Sequence, residues 1–175
     1  MKGLGIAHGA ATIINAIATG KGAAFGLDMF TQAIVELTNE PGVYNGKIIG
    51  APNESTTLIK LCAKKTLEYF NAEKDYGALI KTQSNIPIAR GLKSSSVAAN
   101  ATVLATAAAL CEKLPHLDAI NIGVDAAIKA GVTITGAFDD ASASYFGGGV
   151  ITDNIKRKIL RRFKMNPNLM ALIYV

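Results

Sequence analysis

The sequence predicts a mixed α/β fold of the α+β kind, with strands gathered at the front and helices behind them. Three observations carry that expectation. Residues 3–38 are strand-rich, with isoleucines, β-branched residues and glycines at the bends. Residues 53–70, 95–113 and 117–130 carry helical patterns. Half of the 175 residues are apolar and only 18% are charged, which excludes a disordered chain and fits one domain with a sizeable core.

The elements follow in order. Residues 11–18 carry Ile13, Ile14 and Ile17, residues 20–28 are glycine-rich, and residues 30–37 mix β-branched and apolar side chains. Residues 41–46 form a turn cluster, and 47–51 are a short strand candidate. In helix 53–70, Leu58, Ile59, Leu61, Cys62, Leu67 and Phe70 make an inner stripe, and Asn53 or Ser55 is placed to cap it. Residues 76–82 read as a strand. Helix 95–113 is almost all Ala, Val, Leu and Thr, so it packs on several sides, and Pro115 is expected to stop it. Helix 117–130 has Asp118 near its start and Gly131 after its end. Residues 132–135 are strand-like, 138–149 are a polar, glycine-rich passage, and 170–175 are strand-like again.

Charge and cysteine usage narrow the function classes. Net charge is +5, and Lys156, Arg157, Lys158, Arg161, Arg162 and Lys164 crowd one segment. No aromatic interleaving accompanies them, so a solvated face is favoured over a nucleic-acid surface. No apolar run reaches the ~20 residues of a membrane span, and residues 1–8 lack a secretory pattern. Cys62 and Cys111 lack CxxC spacing and read as small buried hydrophobes of a reducing compartment. A cytoplasmic protein is expected. His8 and His116 have no partners at metal spacing.

The strongest chemical signal is Gly91-Leu92-Lys93-Ser94-Ser95-Ser96, after Pro87 and Arg90. Glycine lets a backbone approach closely, hydroxyls bond phosphate or reach Mg²⁺, and a helix start offers unpaired N–H groups with a positive dipole end. Lys93 adds a full charge. The pattern reads as a phosphate-binding loop, the alternative being an ordinary serine helix cap. A Walker A loop is excluded, because Gly20-Lys21 is followed by Gly22 and position 15 is Asn.

A second signal is Asp139-Asp140, within Gly136-Ala-Phe-Asp-Asp-Ala-Ser-Ala-Ser-Tyr-Phe-Gly-Gly-Gly149. One carboxylate there suits acceptance of a hydroxyl proton. Only one of two sequential side chains is expected to face a site squarely, and an acidic turn or helix cap is the alternative. The third is Ala18-Thr-Gly-Lys-Gly-Ala-Ala-Phe-Gly-Leu-Asp28, where Lys21 suits a phosphate or a carboxylate, unless the stretch is only a hairpin.

Together these motifs resemble the GHMP kinases. The Pro87-x-x-x-Gly91-Leu92-x-Ser94-Ser95 pattern is similar to their phosphate loop, with Lys93 in place of the usual middle glycine. The G-L-K-S-S-S variant, with A-T-G-K-G-A-A-F-G and T-G-A-F-D-D-A, resembles the archaeal-type shikimate kinase branch. The resemblance implies a two-layer sandwich of a mixed sheet and helices, and ATP- and Mg²⁺-dependent phosphorylation of the 3-hydroxyl of shikimate. It implies nucleotide contacts from Pro87, Arg90, Gly91, Leu92, Lys93, Ser94, Ser95 and Ser96, with Ser95 also at the metal. Asp139 matches the aspartate that faces the accepting hydroxyl, or Asp140 if the register slips. Lys21 or Arg90 would pair with the acceptor's carboxylate. The magnesium-binding glutamate of some members has no counterpart; Asp125 is the one carboxylate within residues 119–130. Residues 1–175 correspond to the N-terminal ATP-binding domain, and a C-terminal domain is expected to be missing or truncated. Alternatives are homoserine or mevalonate kinase activity, or an inactive nucleotide-binding fragment.

Overall fold

The computed structural model describes residues 1–87, 93–166 and 168–172. Its elements are β1 (Lys2–Ile14), β2 (Lys21–Thr38), β3 (Tyr44–Ile49), α1 (Thr57–Tyr69), β4 (Gly77–Ser84), α2 (Ser94–Ala109), α3 (His116–Lys129), α4 (Phe138–Phe146), β5 (Gly149–Asp153) and β6 (Lys158–Phe163). The strands form one mixed sheet in the order β3-β4-β2-β5-β6, and β1 pairs with β2. The spine is β2. It holds β1 along one edge and both β4 and β5 along the other. The parallel pair β3–β4 is bridged by α1, because parallel strands need a crossover. The antiparallel pair β1–β2 closes through residues 15–20, where Gly20 takes a φ of +74° and its N–H donates to Ala16 O at 2.8 Å.

Burial alternates along β1. Gly3, Gly5, Ala7 and Gly9 face the covered side, and Lys2, Leu4, Ile6 and His8 face outward. Helix α2 lies on β1 and β2, α1 on β3 and β4, and α4 on β1, β2 and β5, while α3 packs against the other three helices. A Cβ at Gly3 would overlap Ala105 O and Ala109 N, and one at Gly5 would overlap Ala101 O. The helix backbone therefore rests on the strand backbone, and small side chains at Ala101, Ala105 and Ala109 complete the seam. Val97 extends that seam, and the other side of α2 is buried too, at Ala99 and Val103, against α1 and α3. Its buried hydroxyls are satisfied inside the helix, Thr102 to Ala98 O and Thr106 to Thr102 O, each at 2.8 Å.

Several expectations need correction. Helix α1 begins at Thr57, not at residue 53; Asn53 does not cap it, and Ser55 Oγ accepts from the Thr57 N–H at 3.3 Å. Leu61 and Phe70 are only partly buried, and Thr66 joins the inner stripe. Helix α2 ends at Ala109, before Cys111 turns left-handed at φ 59°, so Pro115 is not its stop but the residue capping α3. Cys111 is exposed; only Cys62 is buried, and burial pushes its thiol pKa up. Residues 132–135 form no strand. Residues 138–146 are helix α4, because their small Ala and Ser side chains and Phe138 pack inward. Residues 170–172 form no strand, and the rest of that expected strand lies outside the described residues. Among the described residues, no helix is long and apolar enough to cross a membrane.

Gly3→Ala is expected to lower the free energy of unfolding by about 2–3 kcal/mol in urea titrations. Gly9→Ala, on the same strand but with ordinary 3.5 Å contacts, should cost less than about 1 kcal/mol. Equal effects would mean that the β1–α2 seam does not require glycine.

Candidate functional site

The phosphate-loop candidate and the acidic pair meet at one cavity. Lys93 immediately precedes α2 and takes left-handed backbone, φ 60° and ψ 31°. A side chain in that conformation costs roughly 1–2 kcal/mol. An ion pair offsets the strain, with Lys93 Nζ 3.1 Å from Asp140 Oδ2. Thr12 Oγ1, from β1, donates to Asp140 Oδ1 at 2.9 Å. Both oxygens of Asp140 are thus engaged. Its side chain is 5% exposed. Burial raises its pKa above the ordinary carboxylate value, the charge of Asp139 adds to the rise, and Lys93 and Thr12 oppose it.

Asp139 is held differently. Its Oδ1 accepts from Asn154 Nδ2 at 2.9 Å. Its Oδ2 has no hydrogen-bond partner among the described residues and faces Gly22, where a Cβ would overlap it. Contrary to the sequence expectation, both acids reach the same cavity. It measures about 170 Å³ and is also lined by Thr12, Asn15, Lys93, Thr133 and Thr135. The acids occupy the first turn of α4, where the helix dipole favours negative charge. Asn100 Nδ2 ties this turn to α2 by donating to Ala141 O at 2.9 Å.

A second cavity of about 290 Å³ opens beside the same helix start. Ser94 and Ser95 line it, together with Ile48, Leu58, Ile59, Ala98 and Val132. The first N–H groups of α2 lack intrahelical acceptors, so its start suits an anion; it lies between the first cavity and this second one, whose aliphatic walls are joined by Thr31, Glu54, Ser55, Thr82 and Ser84. That arrangement fits a nucleotide, with its base against apolar walls and its phosphates at the helix start. Among the described residues no three His, Cys, Asp or Glu side chains gather as a metal cage. Magnesium in phosphoryl-transfer sites takes few protein ligands besides the phosphates themselves, a role that the Ser95 hydroxyl fits.

Other expected residues are placed less centrally. Ser96 lines neither cavity and shares a separate small recess with Asn100, Gly123 and Gly136. Pro87 is half-buried and precedes the undescribed stretch, in which Arg90, Gly91 and Leu92 lie. Lys21 is exposed at the start of β2 and lines neither cavity. Asp125 pairs with Arg157 at 2.7 Å and also lines neither. His8 is exposed, and His116 Nδ1 lies 3.0 Å from Tyr145 Oη. Of the basic run, Lys158, Arg161 and Arg162 lie on the largely exposed strand β6, with Arg162 stacked 3.8 Å above the Phe146 ring. Sequence reasoning missed Thr12, Asn100, Thr152 and Asn154. Asn100 alone carried a signal, as a lone amide in an alanine-rich helix.

Replacing Lys93 by Met leaves Asp140 buried without its cation. Asp140 has a raised folded-state pKa, so its charged form costs stability as pH rises from the ordinary carboxylate value through the folded one. Lys93→Met removes a lowering influence and widens that window. The variant should lose about 1–3 kcal/mol at pH 8 and less at pH 5, read by urea unfolding at both. An equal loss would show that the pair carries no such coupling.

Comparison with known proteins places the chain in a family. Residues 57–148 match the model of the GHMP kinases N terminal domain. The shikimate kinase of Methanothrix thermoacetophila is 51% identical over 173 residues, covering 99% of this chain and 58% of that protein. The shikimate kinase of Methanococcoides burtonii is 56% identical over 160 residues, covering 91% and 55%. The chain thus spans little more than half the length of these relatives. Among solved structures, Methanococcus jannaschii mevalonate kinase superposes with a TM-score of 0.74 at 20% identity, covering 93% of this chain and 56% of that one. Homoserine kinase from Cytophaga hutchinsonii gives 0.75 at 17% identity, covering 91% and 51%. At those identities the two structures speak for the fold, and the sequence match speaks for descent: the chain belongs to the GHMP kinase family.

Proposed function

We propose that residues 1–175 form the ATP-binding N-terminal domain of a kinase that transfers the γ-phosphoryl group of ATP to the 3-hydroxyl of shikimate. The observation that carries the transfer chemistry is the 3.1 Å contact between Lys93 and Asp140. It joins the helix start that suits phosphates to the acidic cavity that suits an alcohol. The choice of acceptor rests on the relatives named shikimate kinase at about half identity over nearly the whole chain.

In this reading the α2 N–H groups, that of Ser96 among them, and the side chains of Ser94, Ser95 and Lys93 hold the phosphates, and the second cavity takes the base against its aliphatic walls. Ser95 would help to hold Mg²⁺, which would supply positive charge at the phosphates. The first cavity receives the acceptor. Asp139 Oδ2 accepts the 3-hydroxyl proton, the acceptor oxygen bonds to the γ-phosphorus, and the bond from that phosphorus to the β,γ-bridging oxygen breaks, releasing ADP. Asp140 holds Lys93 beside the helix start. Arg90 of the loop is our assignment for the acceptor carboxylate, since Lys21 stands outside the cavity. A cytoplasmic location belongs to the same proposal, and the free thiols Cys62 and Cys111 suit a reducing compartment. Neither nucleic acid nor membrane enters it.

The test is an assay of the protein as its gene encodes it, with ATP, Mg²⁺ and shikimate, homoserine or mevalonate, following ADP release. Shikimate-dependent turnover is expected. Asp139→Asn should lower kcat about 100- to 10,000-fold, with ATP affinity changed less than about threefold. Turnover of a different alcohol alone would refute the acceptor, and near-normal kcat in Asp139→Asn would remove Asp139 from the chemistry.

A further inference from the structure

The β2–β5 strand pair makes a seat for Asp139, and two of its residues, Thr152 and Asn154, lie outside every recognised motif. Thr152, on β5, is fully buried, Asn154 just beyond it is 8% exposed, and Asp139 is 3% exposed. Thr152 Oγ1 donates to Asn154 Oδ1 at 2.7 Å, and Asn154 Nδ2 donates to Asp139 Oδ1 at 2.9 Å. The order of donors is fixed by chemistry. An amide turned the other way would set its oxygen against a carboxylate oxygen, so Thr152 holds the NH₂ group toward Asp139. Directly across the sheet, Gly22 pairs with Thr152. Its missing side chain leaves the space that Asp139 Oδ2 occupies.

We infer that Asn154, oriented by Thr152, is a positioning residue that sets the Asp139 carboxylate so that Oδ2 alone is presented to the acceptor. Thr152 and Asn154 lie beyond residues 57–148, the stretch matched by the family model. The network has the character of a site support. Its three polar groups are buried and engaged in series, and the series ends on the one carboxylate oxygen turned away from the free one. A buried polar chain of this kind is stable only when each member has its partner. Removing one link therefore frees Asp139 to rotate, while the helix start and its phosphate contacts are untouched. The catalytic consequence rests on the kinase reading above; the positioning itself does not.

The test uses the protein as its gene encodes it, with Asn154→Ala, Thr152→Val and Thr152→Ser. Crystal structures of the parent and of Asn154→Ala should show the Asp139 carboxylate displaced in the variant. An unmoved carboxylate overturns the inference, whatever the acceptor proves to be. In the turnover assay, Asn154→Ala should lower kcat at least tenfold, with KM for ATP changed less than about threefold. Thr152→Val should fall in the same direction, and Thr152→Ser, which keeps the hydroxyl, should recover most of the loss. Parallel falls in Thr152→Ser and Thr152→Val would point to packing and would overturn the hydrogen-bonded role. A parent without shikimate turnover would refute the acceptor assignment, and the crystallographic comparison would then decide the positioning alone.

Discussion

Everything at the site depends on one close approach, the seam where α2 lies on β1. Gly3 and Gly5 leave no side chain between the strand and the helix, and Ala101, Ala105 and Ala109 present the smallest face that still buries apolar surface. Close packing fixes a helix in position more firmly than a layer of long side chains does, because there is little volume to redistribute. The seam sets where α2 begins, and that beginning is the proposed anion site. The same strand β1 carries Thr12, which bonds Asp140. One strand therefore positions both the helix that suits phosphates and the acid beside it.

The second constraint is electrostatic. Two adjacent carboxylates in the first turn of a buried helix repel each other, and burial disfavours the charge of Asp140. The fold separates them by giving each its own partners. Asp140 is drawn to Lys93 and Thr12, while Asp139 is drawn to Asn154. The left-handed backbone at Lys93, where glycine would be unstrained, becomes tolerable because the lysine finds a buried counter-charge. The departure from the family's usual loop glycine thus has a local physical reason.

The legible parts of the sequence were those governed by local chemistry. The apolar helix pattern around 95–113 announced α2, and the serines marked its start, where hydroxyls and free N–H groups are brought together by local chemistry alone. The acidic pair was legible as chemistry and misjudged as structure. Its polar, glycine-flanked surroundings resemble a turn, but the small Ala and Ser side chains between the acids and Gly147 let the segment coil as a helix against β1 and β2. Asn154 and Thr152 could not be found from spacing, since their partner is reached only through the β2–β5 pairing. Lys21 was overweighted for the converse reason. Neighbouring residues on a strand face opposite ways, so Gly22, and not Lys21, meets Asp139.

The central claim is that the start of α2 and the Asp139–Asp140 cavity are two halves of one phosphoryl-transfer site. A crystal structure with Mg²⁺, a non-hydrolysable ATP analogue and shikimate tests it most directly. The account requires the γ-phosphate at the first turn of α2 within reach of Lys93, and the shikimate 3-hydroxyl between that phosphate and Asp139. A triphosphate bound away from α2, or an acceptor whose hydroxyl meets neither acid, would contradict it.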